Sequence, residues 1–189
     1  FTLSPHKFYG ITGCGVLVVR GGVRLAPLWY GGTGATPYRS GTPALALTVS
    51  AEVALQEAYL HLEERLTTVR ILNNRLRDSL AGLPWVVLNS PTDASPFILN
   101  FSTVGIRARD LIALLSEQGV CVSSKSACCA PAAPSHPVLA ITGDRKRAMN
   151  TVRVSISHLT ATDQIDQFLR TLCECAQRLE ANHGNRTGD

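Results

Sequence analysis

The stretch Ser4-Pro5-His6-Lys7-Phe8-Tyr9-Gly10 places a lysine directly after a histidine and shortly before a glycine break. A solvated, protonated lysine amine is a poor nucleophile. At a strand end in a partly closed site, desolvation or a nearby cation lowers its pKa, and the amine can then form a Schiff base with an aldehyde. Ser4 and His6 are close enough in sequence to offer donors to an anion beside it, such as a cofactor phosphate. The alternative is a surface lysine beside a turn. A second reactive residue type stands far along the chain, in Ser123-Ser124-Lys125-Ser126-Ala127-Cys128. A nucleophilic thiol needs mobility, partial exposure and nearby positive charge to favour its thiolate. The Ser- and Ala-rich surroundings of Cys128 suit the first two, and Lys125 is placed to supply the third. The alternative is an exposed structural thiol. Cys129, next door, is either a resolving thiol or only a neighbour.

Cys14, Cys121, Cys173 and Cys175 read as buried thiols of an intracellular protein. Cys121 belongs to a short strand, while Cys173 and Cys175 lie two apart on a helix and so point to different sides. No C-x-x-C pair faces a second one, so no zinc site is expected. The 189 residues are 45% hydrophobic and 17% charged, a soluble globular composition long enough to bury a core. A net charge of +4 is mild, and the one basic run, Arg145-Lys146-Arg147, is too short to argue for nucleic acid. No apolar run approaches the roughly 18 residues of a membrane helix, and the opening residues do not read as a secretory leader. Neither nucleic acid nor membrane is an expected partner.

The elements that must position these groups follow from periodicity. Phe1 to Leu3 reads as a strand end leading to Lys7, and Gly15 to Val19 as a buried strand. Leu25 to Pro37 is a loop rich in Gly, Pro and aromatics. A long helical pattern starts at Thr42-Pro43, with Thr42 suited to cap it and Pro43 to its first position. Tyr59, Leu62, Leu66, Val69, Leu72, Leu76 and Leu80 recur at helical spacing, and Gly82 and Pro84 end the pattern. So long a helix is expected to bend near Val49-Ser50. Trp85 to Leu88 and Phe97 to Phe101 predict two strands, and Arg109 to Gln118 a helix stopped by Gly119. Val120 to Val122 predicts a short strand feeding the Cys128 loop. Ser135 to Ile141 is a short helix interrupted at Pro137, Val152 to Ile156 a strand, and Thr162 to Asn182 a closing amphipathic helix before a polar, frayed tail.

Taken in order and at this spacing, Ser4-x-His6-Lys7, Arg39-Ser40-Gly41-Thr42, Ser123 to Cys128, and Arg153-Val154-Ser155 with Thr160-Ala161-Thr162 carry more than any one motif. The chain resembles the C-terminal half of the pyridoxal-phosphate-dependent cysteine desulfurases, the NifS/IscS-like family of the class-V aminotransferase superfamily. The resemblance runs from about Phe1 to about Phe168. It implies an α/β chain that is part of an aspartate-aminotransferase-like, fold type I pyridoxal-phosphate enzyme. Residues 1–42 would end the sheet of the large cofactor-binding domain, 43–82 form a connecting helical segment, 83–182 a small α/β domain, and 183–189 a disordered tail.

The same resemblance implies roles. Lys7 would hold pyridoxal 5'-phosphate and move protons on the substrate, with Ser4 and His6 on the cofactor phosphate. Thr42 would reach the phosphate of a neighbouring subunit's cofactor, which requires a homodimer; its hydroxyl does either this or the helix cap. Cys128 would take sulfur from bound L-cysteine as a persulfide, leaving L-alanine. Arg153 would pair with the substrate carboxylate, for which a guanidinium fork is suited; the alternative is a surface arginine. His136, in Pro134-Ser135-His136, would be structural. A sulfur-acceptor protein, serving iron–sulfur cluster or thio-cofactor biosynthesis, is the implied partner, and the cytoplasm the implied location, or the mitochondrial matrix in a eukaryote. The resemblance places Phe1 inside a strand, so the chain is expected to be a fragment, a processed product or one part of a longer polypeptide. The N-terminal half would supply the aspartate on the pyridine nitrogen and the histidine that stacks on the ring, and the chain alone is expected to be inactive without it.

Several positions depart from the family pattern. Gly10-Ile11-Thr12-Gly13 stands for Gly-Pro-Lys-Gly, Gly34-Ala35-Thr36 for Gln-Glu-Arg, and Ser155-Ile156-Ser157-His158 for Ser-x-Gly-Arg. Lys125 stands where the family has glycine; if that position needed a positive φ, lysine would cost about 1 kcal/mol. With a short connection from Cys128 to Pro134, these changes point to a divergent member of reduced activity. Two other readings are selenocysteine lyase and a non-catalytic remnant that dimerises or binds a partner. The Ser-Ser-x-Ser-Ala-Cys context favours the desulfurase over the first. Retention of Lys7, Cys128 and Arg153 together speaks against the second.

Overall fold

The computed structural model describes residues 1–32, 34, 36–126, 130 and 132–184, with side chains to residue 181. Among the described residues no helix is long and apolar enough to cross a membrane. The chain forms two compact units, Phe1–Leu62 and Glu63–Asp189.

In the first unit β1 (Thr2–Leu3) pairs antiparallel with β2 (Val16–Leu17), Thr2 opposite Leu17 and Leu3 opposite Val16. The expected buried strand over 15–19 is thus a two-residue ladder, with Val16 37% and Leu17 52% exposed. Two short strands offer no second layer to cover them. Between them a 3₁₀ turn, Pro5–Phe8, carries Lys7. Helix α1 (Leu45–Leu60) packs on this turn and buries Ala51 and Ala54. It begins at Leu45 after Ala44, not at Thr42-Pro43, and Ala44 gives no side-chain cap; instead the Thr48 hydroxyl donates to the Ala44 carbonyl at 3.2 Å.

The helical stretch breaks at His61 rather than at Val49-Ser50. The two halves serve different cores: α1 buries small residues against the lysine turn, whereas α2 (Leu62–Ala81) buries Val69, Leu72, Leu76 and Leu80 in the second unit. Glu63 and Glu64 sit in the first turn of α2, where acids favour a new helix start.

The second unit is built on an antiparallel sheet in the order β3 (Val86–Leu88), β4 (Ile98–Thr103), β5 (Thr151–Ser155). Alternation along β4 and β5 sends Leu99, Phe101, Val152 and Val154 into a core shared with α2, α3 (Ala108–Glu117) and α6 (Thr162–Gly184). The opposite face is polar: Asn100, Ser102, Thr151 and Arg153 alternate with those core residues. There Asn89 Nδ2 donates to Asn100 Oδ1 and to Ser102 Oγ, each at 2.7 Å, and Arg147 Nε donates to Asn89 Oδ1 at 2.5 Å. Arg147 Nη2 also reaches the Leu88 carbonyl at 2.8 Å. These bonds seat α4 (His136–Thr142) and α5 (Arg145–Met149) beside the sheet.

Helix α5 was not expected; its basic residues follow an Asp144 cap whose carboxylate accepts from the Arg147 N–H at 2.9 Å. Pro137 does not interrupt α4, because it lies in the first turn, where no donor is needed. Val120 to Val122 forms no strand; a single bridge joins Ser123 to Arg153. Helix α6 runs two residues beyond the expected end at Asn182.

Candidate functional site

The lysine turn is set by local chemistry. The Lys7 N–H donates to the Ser4 carbonyl and the Gly10 N–H to the Pro5 carbonyl, both at 2.9 Å. Tyr9 closes the turn at φ 75°, a left-handed conformation that only it adopts among the described non-glycine residues. Gly10 is required: a Cβ there would lie 2.8 Å from the Pro5 Cβ. From behind, α1 holds the segment that follows, with the Ile11 N–H on Ser50 Oγ at 3.0 Å and Cys14 Sγ on the Leu47 carbonyl at 3.6 Å. Lys7 and His6 are exposed and Ser4 is half-buried; among the described residues their side chains make no hydrogen bond or ion pair. Unit 1 therefore leaves the Lys7 amine in solvent rather than desolvating it. Thr42 is exposed ahead of α1, and its hydroxyl is not spent as a helix cap.

The second unit places Arg153 at the centre of β5, opposite Asn100. On its other edge Arg153 exchanges both backbone bonds with Ser123, at 2.5 and 3.1 Å. The Thr151 hydroxyl donates to the Ser124 carbonyl. The cysteine-bearing segment thus leaves the sheet edge directly beside the arginine. Arg153 Nε is fully buried and has no partner. A buried unpaired guanidinium donor costs free energy in the absence of an acceptor, and a carboxylate is its natural complement.

Cys128 and Cys129 lie outside the described residues. Lys125 does not sit at positive φ, so the expected glycine penalty does not arise. Its ammonium donates to the carbonyls of Ala130 at 2.7 Å and Ala133 at 2.5 Å. The sequence marked Lys125 as a charge for a thiol and gave no sign of these main-chain bonds. Cys121, expected buried, is exposed because residues 120–122 leave the sheet edge; Cys14 and Cys173 are half-buried and Cys175 alone of the four is buried. His136 is exposed at the start of α4, behind buried Ser135.

The donor types fit the groups expected from the sequence: an amine for an aldehyde, hydroxyl and imidazole groups for a phosphate, and a half-buried guanidinium whose Nε lacks an acceptor for a carboxylate. Comparison with known proteins identifies the family. The "IscS-like cysteine desulfurase" of Mycobacterium tuberculosis is 35% identical over 175 residues, which cover 90% of this chain and 44% of that protein. "Cysteine desulfurase IscS" of Methanosarcina thermophila is 31% identical over 180 residues, 94% of this chain and 45% of the relative. A solved NifS-like protein superposes with a TM-score of 0.82 at 30% identity, over 94% of this chain and 46% of its own. The chain therefore has the expected α/β fold, shared with this NifS-like protein, and spans a little under half the length of these relatives. The aminotransferase class-V profile matches residues 1–168, and the chain belongs to that family.

Proposed function

We propose that the chain works in cysteine desulfuration, converting L-cysteine to L-alanine and passing the sulfur on as a persulfide of Cys128. The observation that carries this is the buried, unpartnered Nε of Arg153 on the strand edge from which the cysteine-bearing segment departs. Arg153 binds the substrate carboxylate and so fixes the amino acid with its sulfur toward that segment. Lys7 holds pyridoxal phosphate, and Ser4 and His6 bind its phosphate. Thr42 extends to the phosphate site of a second subunit in a homodimer. When bound, the cofactor supplies an electron sink for the substrate's carbon.

Cys128 as thiolate attacks the substrate sulfur. A sulfur–sulfur bond forms as the carbon–sulfur bond breaks, the electron pair stays with carbon, and Lys7 returns a proton there. The remaining catalytic groups belong to a polypeptide corresponding to the other half of the relatives. A sulfur-acceptor protein in the cytoplasm then takes the persulfide sulfur toward iron–sulfur clusters or thio-cofactors. On this reading residues 83–182 are the small domain and 1–42 the end of the large one.

Assembly of the chain with that complementary polypeptide, followed by assay of alanine and persulfide from cysteine, tests the reading. Mass spectrometry after one turnover should find one added sulfur on the Cys128 peptide, absent in Cys128→Ser, with cofactor colour kept. Added sulfur on Cys129 with Cys128→Ser still active would assign the role to the neighbour.

A further inference from the structure

One level of the unit 2 sheet is polar from edge to edge. Asn89 follows β3, whose Leu88 lies opposite Phe101, and its N–H donates to the Asn100 carbonyl at 2.8 Å. Asn100 is opposite Arg153, and Arg153 bridges to Ser123. The backbone bonds of Arg153 go to Ser123 and those of Asn100 to Asn89 and Ser90, so Asn100 and Arg153 form a non-hydrogen-bonded pair. Pairs of this kind bring their side chains closest, with Cα atoms about 4.5 Å apart. The sense of the amides is fixed from one end. A guanidinium has only donors, so the Asn89 atom that Arg147 Nε meets at 2.5 Å is the oxygen. The Asn89 nitrogen therefore donates, and Asn100 Oδ1 accepts it at 2.7 Å. That oxygen is spent toward β3, which leaves Asn100 Nδ2 on the β5 side, with Arg153. Among the described residues Asn100 Nδ2 and the Arg153 guanidinium make no hydrogen bond, and neither Arg147 nor Arg153 forms an ion pair.

We propose that Asn100 is a second recognition residue for the carboxylate taken by Arg153, with Arg147 and Asn89 as the positioning residues that aim its amide nitrogen. Two guanidinium groups with a donor amide between them, and no carboxylate paired to either, suit an anion. A carboxylate has two oxygens and so accepts from the guanidinium and the amide together. An Asn100 amide turned the other way would set its oxygen against the carboxylate, and the Asn89 donor prevents that flip. The run of bonds from Arg147 through Asn89 to Asn100 is polarised in one sense, which strengthens the last donor. That the carboxylate belongs to an amino-acid substrate rests on the desulfurase reading; the arrangement of donors does not.

Nuclear magnetic resonance of the full chain at neutral pH tests the site without catalysis. The probes are propionate and its neutral isostere, propionamide. Propionate should shift the Asn100 Nδ2 and Arg153 Nε resonances together, and propionamide should shift neither. Asn100→Ala should weaken propionate binding about tenfold, the loss of one charge-assisted bond. Asn89→Asp still accepts from Arg147 but has no donor, so the Asn100 amide flips and presents its oxygen. That variant should melt no lower than the parent, yet bind propionate about tenfold more weakly. In the assembled enzyme both changes should raise KM for cysteine about tenfold, with kcat held within about threefold. Ser102→Ala cuts the same network at the position opposite Thr151, away from Arg153. It should lower the melting temperature and leave KM unchanged. Propionate shifting Arg153 alone, or KM following the melting temperature across the three variants, overturns the role of Asn100 and leaves the desulfurase reading intact. No shift at either residue overturns the site. Both shifts, with no alanine or persulfide formed from cysteine by the assembled parent, would sustain the carboxylate site and overturn the desulfurase reading.

Discussion

On the proposed reading, Arg153 is a side chain unfavourable for the fold and needed by the site. Its buried Nε lacks an acceptor, a situation that costs about 1–3 kcal/mol. Arg153→Met replaces the donor with an apolar chain of similar length. Unit 2 should then melt no lower than the parent, and up to a few degrees higher. In the assembled enzyme the same change should reduce kcat/KM for cysteine at least about thirtyfold, mainly through KM, because removing one partner of a buried charged pair costs about 2–5 kcal/mol. A variant that loses stability as well as activity would show that the arginine is structural. The thiols of α6 behave in the opposite sense to a carrier. Burial raises the pKa of Cys173, with Glu174 adding to it. Burial also raises that of Cys175, where Arg178 pulls down and Glu174 and Glu117 push up. Both should alkylate more slowly than exposed Cys121 at neutral pH. Since the folded pKa lies above the unfolded one, the native state holds these protons more tightly. That stability is full below the ordinary thiol pKa and is lost as pH rises through the raised values. The urea midpoint should therefore fall between about pH 7 and about pH 10, and fall less in the Cys173→Ala, Cys175→Ala double variant.

At the scale of elements, the lysine turn depends on one glycine. In Gly10→Ala the new methyl would meet Pro5 at 2.8 Å, next to a tyrosine already in a left-handed conformation. The turn must then open, at a cost of about 1–3 kcal/mol. Cofactor binding by the assembled enzyme should drop, while the far-ultraviolet signal and the melting of unit 2 stay unchanged. The network under α5 allows the converse change. Arg147→Ala leaves the Asn89 carboxamide, 6% exposed, and the Leu88 carbonyl without their donor. It should lower the stability of unit 2 by about 2 kcal/mol. These two elements also mark what the sequence could show. Helices α2 and α6 and strands β4 and β5 were legible because each carries a long apolar period that ends in one core. Helix α5 was not, because Arg145-Lys146-Arg147 draws attention as a charge run, although Asp144 three residues before Arg147 is a capping signal. Residues 120–122 alternate correctly for a strand, but a strand needs a partner, and β5 accepts only Ser123. The break at His61 was hidden because apolar residues continue through it; only the packing reveals that they face two different cores. The types of the site residues were legible, but the main-chain bonds of Lys125 and the missing partner of Arg153 were not, since both are tertiary facts.

For the molecule as a whole, the main contrast is between a second unit with a closed core and a first unit with much apolar surface in water. Along α1, Leu45, Val49, Val53 and Leu60 are 73%, 47%, 52% and 75% exposed, and Trp29 and Tyr30 are 69% and 82% exposed. A helix apolar on nearly all sides is normally buried, and patches of this extent mark surfaces that other protein covers. The same unit carries every group of this chain assigned to the cofactor: Ser4, His6, Lys7 and Thr42. On the proposed reading all of them would address its phosphate or its aldehyde, and none is assigned to stack on the ring or to pair with its nitrogen. A phosphate held by exposed hydroxyls competes with water, and a solvated amine holds an aldehyde loosely. The isolated chain should therefore bind pyridoxal phosphate weakly in equilibrium dialysis, and it should self-associate and bind a hydrophobic dye. Addition of the complementary polypeptide should suppress the dye signal and produce a tight, coloured, stoichiometric complex. Val53→Glu, which puts a charge on the exposed stripe of α1, should reduce self-association of the isolated chain and also block that assembly, leaving unit 2 folded. A tight stoichiometric complex of the isolated chain with the cofactor would sink this account, because it would mean that the ring contacts lie within these 189 residues.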